Sequence, residues 1–125
     1  FRKPKNQPAV YVMVCRNDPR VVKLGYTSRR VEVRAQEISR AGRGPVRIVA
    51  AIRMPHAYAT EMNAHKRLSS TRGVRPLGGE WYRCSDVSVI VRQMRASASS
   101  VKASAIRKRS WPRNGKILEI KGGWK

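Results

Sequence analysis

Apolar residues recur along this chain in two different periods, and the switches between them mark its elements. Ala9 to Arg16 is apolar on both faces and rich in β-branched residues, the pattern of a buried strand. Asn17-Asp18-Pro19-Arg20 has turn chemistry and Val21 to Tyr26 reads as a second strand, so the two are expected to pair as a hairpin. Thr27 or Ser28 is placed to cap a helix from Val31 to Ala41, ended by Gly42. Val46, Ile48, Ala50 and Ile52 then alternate with Arg47, Val49, Ala51 and Arg53, which predicts a strand with one wet face. Pro55 opens a helix from Ala57 to Ser69, and a Gly/Pro-rich loop from Gly73 to Gly79 leads to a short strand, Glu80 to Cys84. Ser85 or Asp86 caps a last helix that carries Val87, Ile90, Val91 and Met94 on one stripe. The order ββαβαβα predicts an α+β fold: a small antiparallel sheet of about three strands flanked by helices.

Residues 1–8 read as a basic, proline-bearing arm, and residues 9–96 as the folded domain. Residues 97–125 divide into a Ser/Ala-rich stretch to Ser104, a linker or a weak helix extension, and a basic C-terminal tail. A length of 125 residues suits one domain of the usual ~100–150. The first residue is Phe1, so a processed or excised piece is an expectation. Ala9 to Cys15, the longest apolar run, falls well short of the ~20 residues a membrane-spanning helix requires. The two cysteines, Cys15 and Cys84, lie in expected strands with no ligand spacing, which suggests buried thiols in a reducing compartment and no structural zinc.

Charge narrows the choice of partner. There are 28 Lys and Arg against 7 Asp and Glu, a formal net charge of +21. So dense a charge repels itself unless an acidic polymer neutralises it, so nucleic acid is the expected partner, with DNA favoured and no membrane. Arg29 and Arg30 before the first helix, and Arg107, Lys108, Arg109 and Trp111 in the tail, combine cations with an aromatic and suit phosphate contact with base stacking. The tail also offers a place for a protein partner, and the expected location is cytoplasmic or nucleoid- or virion-associated.

Polar residues on apolar stripes carry the candidate chemistry. Ala57, Glu61, Ala64 and Leu68 share one helix face, which places a carboxylate toward the core, with His65 one turn further on. A buried carboxylate calls for an ion pair or a divalent cation, and both readings stand. Arg34 borders the stripe of Val31, Ala35 and Ile38, where it either snorkels or points into a cleft. Tyr11 shares a strand face with Met13 and Cys15, and Tyr26 directly precedes the expected cap.

Tyr11-Val12-Met13-Val14, then Val22-Lys23-Leu24-Gly25-Tyr26-Thr27, then Arg34, resemble the GIY-YIG endonuclease superfamily, in particular its phage-type branch. Glu61, His65 and Leu68 followed by Glu80-Trp81-Tyr82 resemble that branch further along. The resemblance implies hydrolysis of phosphodiester bonds with Mg2+ or Mn2+. It implies that Glu61 holds the metal, Arg34 contacts phosphate, and Tyr11 orients or deprotonates the attacking water. Met13 is the alternative match for the strand tyrosine. Lys23 stands where the superfamily has a tyrosine, either contacting phosphate or lowering the pKa of a nearby phenol. His65 is either a proton shuttle and partner of the site or a helix-face histidine, and Glu80 reads as a structural acid. The competing class is a catalytically inactive nucleic-acid-binding or genome-associated structural protein.

Overall fold

The computed structural model describes residues 7–110, with side chains through Ala105. Eight elements run in order: β1 (Ala9–Cys15), β2 (Asp18–Thr27), α1 (Val31–Ser39), β3 (Val46–Arg53), α2 (Ala57–Leu68), β4 (Val74–Gly78), β5 (Trp81–Cys84) and α3 (Val87–Ser110). The α+β class is as expected, but the sheet has five strands in the order β3-β1-β2-β5-β4, all paired antiparallel.

The additional strand is β4, which lies within the segment expected to be a loop. Gly78 and Gly79 take positive φ at its end, and Pro76 lies inside it. Proline is tolerated because β4 is an edge strand with a free side, so the missing N–H leaves no ladder bond unmade. The hairpin turn is also shorter than expected. Cys15 pairs with Asp18, which leaves Arg16 and Asn17 as the turn and puts Pro19 within β2. Thr27 does not cap α1: its hydroxyl accepts the Arg29 N–H two residues on, and Arg30 at the N-cap makes no side-chain cap bond. Asp86 does cap α3, accepting the Ser88 N–H at 3.0 Å.

The sheet has a helix layer on each face. On one face Tyr11, Met13, Val31, Ile38 and Val46 pack beneath α1. On the other, Val10, Val12, Val14, Val22 and Leu24 pack under α2 and α3 with Ala64, Leu68, Ile90 and Met94. β1 is an interior strand, paired on both sides and buried along its whole length, which explains why its sequence is apolar on both faces. α3 does not stop at the Ser/Ala-rich stretch. Ser97 and Ala98 are buried and Val101 packs on the core, because small residues let the helix lie close to its neighbours. The tail residues Arg107, Lys108 and Arg109 belong to α3 by backbone, with side chains outside the described set. Trp111 and residues 1–6 of the arm lie outside the described residues.

Two features of β2 shape the ground on which polar groups gather. Gly25 pairs with Tyr11, and a Cβ at Gly25 would stand 2.5 Å from the Tyr11 hydroxyl oxygen, so only glycine leaves room for that ring. β5 pairs with β2 only over Val21 to Lys23, succeeded by one bond from the Leu24 N–H to the Glu80 carbonyl. Beyond that point the flank of β2 has no strand beside it.

If α3 packs through its Ser/Ala-rich stretch, Ala98→Asp forces a carboxylate into the apolar layer. Its expected cost is at least about 2 kcal/mol, measured by urea denaturation. A linker would tolerate the change with no shift in midpoint.

Candidate metal centre and basic cleft

Groups from the two faces of the sheet meet at the open flank of β2. Helical spacing puts Glu61 and His65 one turn apart on α2, and their side chains converge on Glu80, the residue that precedes β5. Glu61, His65 and Glu80 each offer a ligand atom, and these atoms lie within 4.8 Å of one another. Glu61 is only 3% exposed, whereas the Glu80 side chain is 39% exposed and forms the open side of the cluster.

The cluster is held from behind. His65 Nε2 lies 3.2 Å from Glu61 Oε2, and its Nδ1 is hydrogen-bonded to the Tyr82 hydroxyl. One tautomer donates Nε2–H to Glu61 while Tyr82 donates to Nδ1. The other donates Nδ1–H to Tyr82 and frees the Nε2 lone pair for a metal, so Tyr82 orients the ring in either case. Lys23, 8% exposed, donates to Glu80 Oε1 at 2.9 Å. Its cation is thereby committed to a carboxylate. The cation acting on the Tyr11 phenol is Arg34 instead.

Two neighbouring carboxyls, one of them almost closed to solvent, cannot both be charged at low cost. Burial, joined by Glu80, pushes the Glu61 carboxyl above its ordinary value, and the hydrogen bond to His65 opposes this only in part. Burial works against the Glu80 charge too, but a hydrogen bond with Glu61 and the Lys23 ammonium outweigh it and hold that carboxyl low. Of the two carboxyls, Glu61 is thus the harder to ionise, and a divalent cation beside it would favour its charged form. Two carboxylates and an imidazole are a donor set that fits Mn2+ well and Mg2+ through its oxygens.

Tyr11 is fully buried beneath α1, and its hydroxyl has no hydrogen-bond partner among the described residues. Burial raises its pKa, while the neighbouring Arg34 guanidinium pulls it down without forming a hydrogen bond of good geometry. Met13 lies on the same face and is equally buried. Tyr26 is not brought to this group. Strand alternation turns it to the opposite face, where its ring meets Tyr58 edge-on at 5.5 Å. Arg34 donates to Glu37 at 3.0 Å, and Arg29 also bonds Glu37, which holds that carboxyl below the usual range. Arg30 lies at the surface, 3.8 Å from Glu32.

Beside the cluster is a cleft of about 360 Å³ lined by Lys23, Arg34, Glu37, Ile38, Arg43 and Trp81 among others. Sequence spacing located Glu61, His65 and Arg34 but not Glu80 as a donor, nor Tyr82, Glu37 and Arg43. The available signal for Glu80 was the scarcity of acids: one of only seven, placed directly before two aromatic residues.

The fold and its flank define a small, strongly basic α+β domain with a carboxylate–imidazole cluster beside a cationic cleft. Residues 9–102 match the T5orf172 domain, and the chain belongs to that family, a phage-associated domain related to nuclease-like folds. The match runs past residue 96, where the sequence had suggested the domain would end. No curated protein and no solved structure matches the chain. No helix among the described residues is long and apolar enough to cross a membrane.

Glu61→Gln imitates the protonated carboxyl and tests the upward shift of Glu61. Folded Glu61 keeps its proton to higher pH than the unfolded chain does. Its contribution to stability is therefore full at acid pH and is lost as pH climbs from the ordinary carboxylate value through the raised one. Thermal unfolding without metal should show the variant matching the parent at acid pH and exceeding it at neutral pH. Added Mn2+ should raise the melting temperature of the parent and not of the variant.

Proposed function

We propose that this chain is a GIY-YIG-type endonuclease that hydrolyses phosphodiester bonds in DNA with Mg2+ or Mn2+. The observation that carries the reading is the convergence of Glu61, His65 and Glu80 within 4.8 Å, beside the cations Lys23 and Arg34. Glu61 and Glu80 would hold the metal, with His65 as a third donor oriented by Tyr82. When bound, the ion supplies neutralisation of charge on the scissile phosphate and a more acidic water.

The chain's own groups supply the rest. Arg34 presents a guanidinium to the cleft and binds a phosphate oxygen there, with Glu37 fixing its direction. Lys23 gives Glu80 a counter-charge and remains near enough to the strand to attract it. Tyr11, buried and close to Arg34, braces that guanidinium and does not itself reach solvent. Without the ion, His65 can exchange a proton with Glu61 through Nε2; with Nε2 given to the ion that path is closed, and Nδ1–H is donated to Tyr82. Arg29 and Arg30 widen the positive surface at the start of α1, and the tail adds to it.

Burial favours a second reading, an inactive nucleic-acid-binding domain, because Glu61 and Tyr11 are both closed off from solvent. Cleavage decides between the two. The purified chain should nick supercoiled plasmid in Mg2+ or Mn2+ and stop in EDTA. Glu61→Ala should lower the rate by roughly two orders of magnitude or more while leaving DNA binding in place. Tight binding with no nicking in either metal selects the inactive reading.

A further inference from the structure

The cleft beside the metal cluster has more positive charge than its own residues can balance. Its cations are Lys23, Arg34 and Arg43; Lys23 is paired with Glu80, and the cleft's single carboxylate, Glu37, is already shared between Arg34 and Arg29, which leaves Arg43 without a counter-charge among the described residues. Arg43 makes no ion pair among the described residues. Its guanidinium lies instead 5.1 Å from the centre of the Trp81 ring, where the Lys23 ammonium also sits at 5.3 Å. An indole between cations is satisfied electrostatically, but the two contacts differ in how firmly they are held. Lys23 is buried and tied to Glu80. Arg43 is exposed, on a loop where Gly42 and Gly44 take φ of 129° and 88°. The cation that can leave the ring is Arg43.

The remaining walls are apolar, Ile38 and Ala41, and the volume lies within the ~300–1,000 Å³ of small-ligand pockets. A ligand for this space needs an anionic end for the guanidiniums and a flat apolar body for the indole. Both belong to a nucleotide. The site also adjoins the cluster directly, since Trp81 comes straight after Glu80 in the chain and Lys23 reaches both.

We propose that the cleft of Lys23, Arg34, Arg43 and Trp81 is a nucleotide subsite, in which Arg34 and Arg43 take a backbone phosphate and an unpaired base stacks on Trp81 once Arg43 swings off its ring. Arg43 exchanges one partner for another, the aromatic face for a phosphate, so the subsite opens only when an anion arrives. This deepens the nucleic-acid reading of the site and does not depend on cleavage.

The test is made in EDTA, with Trp111→Phe and Trp124→Phe so that Trp81 is the sole tryptophan. The probes are oligo(dT) and an abasic strand of equal length. Both strands should bind, and only oligo(dT) should quench Trp81 emission. Arg43→Ala should weaken both strands. Trp81→Leu should weaken oligo(dT) about 5-fold to 100-fold and leave the abasic strand nearly unchanged, with Trp81→Phe recovering most of the loss. Emission that stays constant while oligo(dT) saturates, or that responds equally to both strands, overturns the subsite and leaves the nuclease reading untouched. Failure of both strands to bind at low salt overturns both readings. If Trp81→Leu does not fold, the emission measurement with Trp81 intact still decides.

Discussion

One electrostatic conflict organises this molecule: Glu61 from α2, nearly closed to solvent, faces the more open Glu80 from just before β5. Each surrounding group answers that conflict. Lys23 balances Glu80, His65 bonds Glu61, and Tyr82 holds the imidazole in place. A chain with only seven acids has put two of them where they repel, although 28 basic residues could have neutralised them at the surface. Such an arrangement is unfavourable for folding alone, and that cost is what supports the proposed role of a divalent ion here.

The backbone supplies the meeting place. Had β5 paired with the full length of β2, the sheet would have separated α2 from the groups on the α1 face. Because β5 begins opposite Lys23, the flank beyond it is open, and the Lys23 side chain reaches Glu80 there. Gly25 lies on that uncovered stretch and makes room for Tyr11, whose ring fills space that any other residue at this position would claim. Cluster and cleft are thus neighbours without sharing a helix, joined through the Lys23–Glu80 pair.

Much of this was readable in the chain, for identifiable reasons. Helical period placed Glu61, His65 and Arg34, since spacing on a helix fixes which residues share a side. Alternation placed Tyr11 with Met13, and it also contained the correction for Tyr26, one step out of phase with Lys23 and Gly25 on β2. Glu80 was not readable as a donor, because it lies just before a strand and its meaning depends on where β5 ends against β2. β4 was hidden by its glycines and proline, which resemble a loop unless the strand is known to lie at an edge. The Ser/Ala-rich half of α3 was left open between linker and helix extension, because residues small enough to suit a linker are also those that allow close helix packing.

β4 contributes no side chain to the cluster or the cleft, yet it determines how steady they are. Without it, β5 would be the border strand, and the segment Glu80-Trp81-Tyr82 would undergo the frequent local opening to which sheet borders are prone. With β4 outside, that opening falls on a five-residue strip carrying Arg75 and Pro76, which also discourages a foreign strand from docking. The outermost strand serves as a sacrificial hem that takes the fraying in place of β5, whose Trp81 lines the cleft and whose Tyr82 holds the His65 ring.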